Sequence, residues 1–300
     1  MKRILVTGGS GFLGRRLKMH YPDWIFVSSK DFDLTKYSEA EKILTDIKPE
    51  YILHLAARVG GIKDNFNKQG EFFFKNVSIN TNLLEAARVK KVNRVLSSLS
   101  TCAFPDIVEN YPFKEEDLFL GNPSKYNFSY GYSKRMLQVQ TLSYRNQYSL
   151  NYSTFCPSNI YGPGDNFGDE NSHFVASLAY KISNAKDGQI LEMWGTGKPL
   201  RQQLFIDDLC KLIPLLLEKH NTDIPIIVAP DENISIKEMC EIAKKISGKK
   251  VNFRFDRTLD GQYRKDGDNL KLKSMIKYFN FTTFKEGFKI TLDSLGMTGG

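Results

Sequence analysis

Tyr130 and Lys134, four residues apart in Tyr130-Gly-Tyr-Ser-Lys134, are the pair in this chain best placed for proton chemistry. On a helix, positions i and i+4 share one face, so both side chains would enter one pocket. An ammonium beside a phenol lowers the phenol's pKa from its usual value of about 10. The expectation is a tyrosine that exchanges a proton near neutral pH. A Ser-x-Cys pair, Ser100 and Cys102, follows an apolar run just upstream. Each signal alone is weak. The Tyr/Lys spacing is common on solvated helices, a lone cysteine reads as a small buried hydrophobe, and His173 alone reads as a cap or surface residue.

These side chains need a scaffold, and the chain opens on one. Arg3-Ile-Leu-Val-Thr7 reads as a buried strand. Gly8-Gly-Ser-Gly-Phe-Leu-Gly14 follows at once and leads into a helix. This is a G-x-x-G-x-x-G form of the dinucleotide fingerprint. Gly8 permits the turn, Gly11 lets backbone approach a pyrophosphate, and Gly14 lets helix sit close on strand. The helix amino end supplies N–H groups and a positive dipole for phosphates. The second strand, Trp24-Ile-Phe-Val-Ser-Ser29, ends in hydroxyls and Lys30 where a site for NAD usually places an acid. A lysine and hydroxyls suit a 2′-phosphate, which favours NADP. Asp33-Leu34 lies where adenine would be met.

Strand and helix patterns alternate through the first half. Strands are expected at 51–57, 94–100 and 152–156, with helices at 77–89 and 129–147. Such βα repeats predict an α/β fold, a Rossmann-type doubly wound parallel sheet with ligands at the carboxyl ends of its strands. Gly8, Ala57, Ser100 and Asn159 fall just past those ends. Beyond Pro157 the pattern loosens into the turn-rich Tyr161-Gly-Pro-Gly-Asp-Asn. Gln203-Leu-Phe-Ile-Asp-Asp and the helix after it read as a return to the main sheet layer. The expected division is 1–160 plus 202–225 as the NADP-binding domain, and 161–201 plus 226–300 as a smaller α/β substrate-binding domain. Gly299-Gly300 reads as a frayed end.

Three hundred residues fit one large domain or two small ones. No apolar run is long enough to span a membrane, and the amino terminus reads as a strand rather than a signal peptide. The four cysteines, Cys102, Cys156, Cys210 and Cys240, are scattered without C-x-x-C spacing. That predicts no metal site, no disulfide framework and a reduced, cytoplasmic protein. The net charge is +8, with a pI of about 9.1. Lys and Arg form no compact block, so polyanionic small molecules are favoured over nucleic acid.

Longer motifs select one family. They are His54-Leu-Ala-Ala-Arg-Val-Gly-Gly-Ile62, Ser98-Leu-Ser-Thr-Cys-Ala-Phe-Pro-Asp106 and Pro157-Ser-Asn-Ile-Tyr-Gly-Pro163. With them stand Asp165-Asn-Phe with Asn171-Ser-His173, Trp194-Gly-Thr-Gly, and Asp260-Gly-Gln-Tyr-Arg-Lys265. On these the chain resembles the extended short-chain dehydrogenase/reductase superfamily and, within it, the GDP-L-fucose synthase family, over nearly its whole length. The resemblance implies NADPH-dependent 3,5-epimerisation and 4-keto reduction of GDP-4-keto-6-deoxy-D-mannose to GDP-L-fucose.

By that resemblance Ser100, Tyr130 and Lys134 are the reductase triad, and Cys102 and His173 are the epimerisation base and acid. NADP(H) would meet Gly8, Gly9, Ser10, Gly11, Phe12, Leu13, Gly14, Ser29, Lys30, Asp33, Leu34, Leu55, Ala56 and Ala57. It would also meet Ser98, Leu99, Ser100, Thr101, Tyr130, Lys134, Pro157, Ser158, Asn159, Ile160 and His173. The GDP-sugar would meet Cys102, Asn159, Lys181, Trp194, Arg201, Asp260 and Lys265. A homodimer through a four-helix bundle is implied by the helices near 75–90 and 129–147, with Leu83, Leu84, Met136 and Leu137 as apolar positions. Three departures stand out: Ser158 replaces a more usual threonine, His173-Phe-Val-Ala replaces His-Val-x-Pro, and Lys181 stands where some members have arginine.

Rival readings remain on this scaffold. A 4-epimerase would not need Cys102, and a 4,6-dehydratase would show Asp-Glu where this chain has Cys102-Ala103. A reductase making another deoxysugar keeps the same outline. A non-catalytic nucleotide- or RNA-binding module tends to lose the Tyr/Lys pair.

Overall fold

The computed structural model describes residues 2–168, 172–257, 260 and 262–296, and leaves aside the side chains of Ile62 and Lys63. Asn171 and Gly261 of the motifs, and Gly299-Gly300, lie outside the described residues. The strands are β1 (Ile4–Thr7), β2 (Ile25–Val27), β3 (Tyr51–His54), β4 (Arg94–Ser98), β5 (Asn151–Pro157) and β6 (Asn159–Tyr161). There follow β7 (Ile190–Met193), β8 (Leu200–Arg201), β9 (Gln203–Phe205), β10 (Ile226–Val228), β11 (Ile234–Ser235) and β12 (Asn252–Phe255). The helices are α1 (Phe12–His20), α2 (Tyr37–Ile47), α3 (Ile62–Asn67), α4 (Gln69–Val89) and α5 (Phe128–Tyr148). After them come α6 (Phe174–Asn184), α7 (Ile206–Lys219), α8 (Ile236–Ser247), α9 (Leu270–Met275) and α10 (Phe284–Asp293).

Six strands form one parallel sheet in the order β10-β5-β4-β3-β1-β2. Alternation along each strand explains its two covers. Leu5, Ile52 and Val95 meet Ile43, Leu83, Leu84 and Leu137 from α2, α4 and α5. Their neighbours Val6, Leu53 and Leu96 meet Leu13, Leu17, Leu209 and Ile213 from α1 and α7. Each such aliphatic side chain, wholly buried, stabilises the fold by roughly 1.5–3 kcal/mol. The chain reverses direction across the sheet between β1 and β3, so a crevice opens past their carboxyl ends, at Gly8 and Leu55. A separate core gathers Tyr161, Phe205, Phe284 and Phe288 with α6, α8 and α10.

The structure moves several expected features. Ile226–Val228, assigned from sequence to the smaller domain, pairs with Phe155–Pro157 as the edge of the main sheet. Its three residues are all buried, and Leu272 of α9 packs beside it. Gln203–Phe205 does not rejoin that sheet but pairs with Asn159–Tyr161; only the following α7 covers the sheet. Helix α4 begins eight residues before the expected start at Val77. Its first turns run Gln69-Gly-Glu and then Phe72-Phe-Phe74, three apolar residues in succession, which hides the period. Yet Phe72 is wholly buried, and the Asn76 amide donates to the carbonyls of Arg58 and Phe72. Leu83, Leu84 and Leu137 are consumed by the chain's own core, so of the four apolar positions assigned to a dimer only Met136 is exposed. No helix among the described residues is long and apolar enough to cross a membrane.

Candidate active site

The glycine loop is built by backbone. Gly8 has φ +77°, and a Cβ there would stand 2.8 Å from the Ala56 nitrogen. At Gly14 a Cβ would stand 2.3 Å from the Gly8 carbonyl oxygen, which fixes how closely α1 approaches the loop. The amino end of α1 has neither a side-chain cap nor an acid in its first turn. The Phe12, Leu13 and Gly14 N–H groups, which have no intrahelical acceptor, are therefore left to meet an anion. Arg15 donates to the carbonyls of Ser10 (2.6 Å) and Gly164 (2.8 Å), tying loop to the segment after β6.

Past β2 lies a detail hidden in the sequence. Asp31 turns back so that its carboxylate accepts from the Ser28 N–H (2.7 Å) and hydroxyl (2.8 Å). The acid missing from the strand end is thus present three residues on, and is spent on local structure. Ser29 and Lys30 stay exposed. Asp33 accepts from Thr35, and Leu34 packs into the core rather than facing the crevice. Leu55 also packs partly against the core, and Ala56 and Ala57 line the exit of β3. Behind them runs a buried chain of hydrogen bonds. The Ala56 N–H donates to Thr7 Oγ1 (3.3 Å), and that hydroxyl meets His54 Nδ1 (2.8 Å). His54 Nε2 meets Asn80 Oδ1 (3.0 Å), and Asn80 Nδ2 donates to the Ser133 carbonyl (3.4 Å). Burial, with the Lys134 charge nearby, holds His54 down at about 3 and so neutral.

The Tyr/Lys helix forms as expected, over Phe128–Tyr148, and Gly131 within it has a reason. A Cβ there would lie 2.4 Å from the Cys102 carbonyl oxygen. Only glycine lets α5 dock on the short turn Thr101–Ala103, whose cap is Ser100, its Oγ accepting from the Cys102 N–H. Ser100, Cys102, Tyr130 and Lys134 are thereby drawn together. Lys134 is 3 % exposed and donates to the Ser98 carbonyl (2.7 Å), with its Nζ 5.8 Å from the Tyr130 ring centre. Burial pulls Lys134 down to about 8.

The expected lowering of the Tyr130 phenol does not occur. Burial and then the Cys102 sulfur push it above its usual value, against a smaller downward pull from Ser100. The reason is that the Lys134 ammonium is itself desolvated and spent on a carbonyl. The phenol therefore stays protonated at neutral pH. Ser98, Leu99 and Thr101 continue this wall, and Pro157, Ser158, Asn159 and Ile160 face the next strand end. Ser158 Oγ is buried without a partner among the described residues, an unmet polar atom that suits a bound ligand.

Cys102 is partly exposed, while Cys156, Cys210 and Cys240 are buried. Lys265 donates to Cys102 Sγ at 3.1 Å. Burial pushes this thiol up, but Lys265, Ser100 and Arg201 outweigh it and bring it below its ordinary value. Arg201, at the end of β8, donates to the carbonyls of Leu200 and Tyr263. His173 caps α6 with its side chain 66 % exposed, and its Nδ1 lies 3.8 Å from Oδ1 of the buried Asp165. Asp165 raises the imidazole more than burial and Lys265 lower it.

The remaining candidates spread outward. Asp260 accepts from the Thr196 N–H (2.8 Å) and hydroxyl (2.6 Å), shaping the turn that carries the exposed Trp194. Lys181 donates to the Glu192 carbonyl on β7 (2.6 Å). Sequence reasoning missed the roles in this geometry of Asp31, Asn80, Gly131 and Asp165. Only Gly131, a glycine inside a strong helix, carried a readable signal.

Elsewhere His20, Asp207 and Cys210 cluster. The Asp207 carboxylate is already paired with Arg16 at 2.5 and 2.7 Å, so the group reads as an ion pair.

A crevice at the sheet's switch point, lined by a glycine loop and a Tyr/Lys helix, defines a nucleotide-dependent enzyme of the Rossmann class. Residues 4–229 match the NAD dependent epimerase/dehydratase family, and the chain belongs to it. It is 36% identical to the GDP-L-fucose synthase of Dictyostelium discoideum over 96% of this chain and 93% of that one. It is 32% identical to the GDP-L-fucose synthase of Sinorhizobium fredii over 91% of this chain and 89% of that one. Among solved structures, a GDP-L-fucose synthetase from Naegleria fowleri bound to NADP superposes with TM-score 0.91 and 32% identity, covering 98% and 92% of the two chains.

Proposed function

We propose that this protein is an NADPH-dependent GDP-L-fucose synthase. It would invert C3 and C5 of GDP-4-keto-6-deoxy-D-mannose and reduce the C4 ketone. The observation that carries the reading is Cys102, its thiol lowered by Lys265, in the same wall as Ser100, Tyr130 and Lys134.

The residues fit the cofactor. The uncapped amino end of α1 suits its pyrophosphate, and Ser29 with Lys30 suits the 2′-phosphate, Asp31 being engaged by Ser28. Lys134 would hold the nicotinamide ribose. When bound, NADPH supplies the hydride for C4. The protein supplies the rest. Protons at C3 and C5 are acidified by the C4 carbonyl. Inversion then needs a base on one face and an acid on the other, roles assigned to Cys102 and His173. Tyr130 and Ser100 would donate hydrogen bonds to the C4 oxygen as enolate charge develops. Tyr130, protonated at neutral pH, would later give its proton to that oxygen during reduction. One oxyanion site would thus serve all three steps. Trp194, Arg201, Asp260, Lys181, Asn159 and Lys265 are proposed to hold the GDP-sugar.

We also propose a homodimer in which α4 and α5 pair with their copies as a four-helix bundle. The exposed Phe74, Met136 and Val139 support it in place of the buried leucines. Light scattering at micromolar concentration giving a monomer mass would exclude it. The cytoplasm is the proposed compartment, and residues 161–201 with β11, α8, β12 and α10 are the proposed substrate-binding unit.

The test is incubation with GDP-4-keto-6-deoxy-mannose and NADPH, following absorbance at 340 nm and identifying the product by NMR. NADPH oxidation with GDP-L-fucose as product is expected. An unepimerised or singly epimerised product would move the reading to another deoxysugar reductase.

A further inference from the structure

We infer that the resting site is biased toward a charged pair, Cys102 toward thiolate by Lys265 and His173 toward imidazolium by Asp165. The inference deepens the reading above and rests on Cys102 and His173 being the proton-transfer pair. Two contacts carry it. Lys265 Nζ touches Cys102 Sγ at 3.1 Å. Asp165 has a side chain only 4 % exposed, and its Oδ1 faces His173 Nδ1 at 3.8 Å. Its Oδ1 also accepts from the Asn166 N–H (2.8 Å), while Oδ2 is buried without a hydrogen-bond partner among the described residues. A buried carboxylate so little satisfied gains most from a cation beside it. The imidazolium is the group within reach.

Other charges act on both groups. Around Cys102 stand Arg201 from β8, Tyr130 from α5 and the Cys156 thiol from β5. Arg201 adds to the effect of Lys265. Tyr130 and Cys156 are both pushed up and so remain neutral. Around His173, Lys265 opposes protonation and Asp165 outweighs it. Lys265 thus favours the thiolate and limits the charge on the imidazole. Asp165 is a positioning residue acting through His173, and Lys265 acts on Cys102 besides its proposed contact with the GDP-sugar.

The charges fix the direction of each inversion. The thiolate takes a C–H proton from one face of the sugar and becomes a thiol. The imidazolium returns a proton to the other face and becomes neutral. One proton leaves Cys102 for water and one reaches His173 from water before the second inversion, so the protons balance and solvent label enters at both carbons.

The test is made on the full chain without substrate or cofactor. Iodoacetamide alkylation of Cys102, read by mass spectrometry across pH, reports thiolate; the other three cysteines are buried and act as internal controls. The wild-type midpoint is expected below the ordinary thiol value of about 8.5. Lys265→Met should slow alkylation at pH 7 about tenfold, the equivalent of one pH unit. Lys265→Arg should restore most of it. A wild-type midpoint at or above 8.5, or a profile that Lys265→Met leaves in place, overturns the Cys102 half. Histidine resonances followed by NMR titration should place His173 above about 6.5, and Asp165→Asn should lower it. A wild-type His173 at or below that value, or one unmoved by Asp165→Asn, overturns the other half. Titrations as expected with no turnover of the GDP-sugar would sink the functional reading and leave the charge assignment standing.

Discussion

Two cysteines near the ends of neighbouring strands meet opposite fates. Burial pushes both thiols up. Cys156, inside β5, stays there, because burial, with the charges of Cys102 and Glu115, outweighs the downward pull of Lys265 and Lys134. Cys102, past β4, has Lys265 in contact and falls below its ordinary value. The histidines repeat the contrast. His54, wholly buried between Thr7 and Asn80, is held neutral at about 3. His173, at the cleft beside Asp165, is raised. Depth alone therefore does not prepare a group for proton transfer. A charged partner in contact does, and the sheet core withholds one from residues of the same type.

The contrast breaks most readily at Cys102. Cys102→Ser should slow solvent-deuterium exchange at C3 and C5 by about 10²–10⁴-fold, the usual contribution of a positioned acid or base. Cys156→Ala should change that exchange far less while costing stability. Equal losses in NMR exchange rates would mean that proximity, and not the charged partner, separates the two.

Gly131 joins the cleft to the core, and comes next in size. Gly131→Ala adds a Cβ that would stand 2.4 Å from the Cys102 carbonyl oxygen and 2.8 Å from Pro123 Cβ. Neither backbone nor ring yields easily, so the expected cost is about 1–3 kcal/mol. Exchange and reduction should fall together, since Cys102 and Tyr130 are moved apart. A variant with unchanged denaturant midpoint and full activity would show that this close approach does not position the site.

Lys134 sharpens the comparison through pH. It is pulled to about 8 by burial, so it loses its charge above that pH. Tyr130 is pushed the other way and keeps its proton through the same range. Reduction should decline about tenfold per unit above pH 8 as the ammonium is lost. Lys134→Arg should shift that limb upward even if the maximal rate drops. A pH–rate profile flat to pH 10 would show that the lysine's charge is not needed.

Much of this was legible in sequence because it is local. A glycine loop after an apolar strand needs only neighbouring residues to be recognised, and so does a Tyr/Lys pair at helical spacing. What was not legible depends on contacts between distant segments. Lys265 reaches Cys102 across more than 160 residues, and its motif, without the contact, pointed to substrate. Asp165 reads as part of a turn until its burial is known. Ile226–Val228 is three apolar residues, too short to reveal which sheet takes it. The pKa of Tyr130 ran opposite to the sequence argument for the same reason. Spacing places an ammonium near a phenol but does not say that the ammonium is spent on the Ser98 carbonyl.

The smallest effect tests the core side of the contrast. His54 folds with a pKa of about 3, well under its ordinary 6.5. Between those values the unfolded chain binds a proton that the folded chain does not. Stability must then rise with pH across that window, and is lost as pH falls from 6.5 toward 3. One such group contributes about 1.4 kcal/mol per pH unit within it. His220, held down at about 4 by burial, adds to the same slope, so replacing His54 should flatten the dependence rather than abolish it. His54→Gln keeps a donor and an acceptor between Thr7 and Asn80 and removes the titration. Its thermal midpoint should vary less than that of the wild type between pH 6.5 and 4.5. Identical slopes would mean that His54 takes up its proton in the folded state. The Thr7–His54–Asn80 chain would then be a second charged site behind the crevice rather than its neutral support.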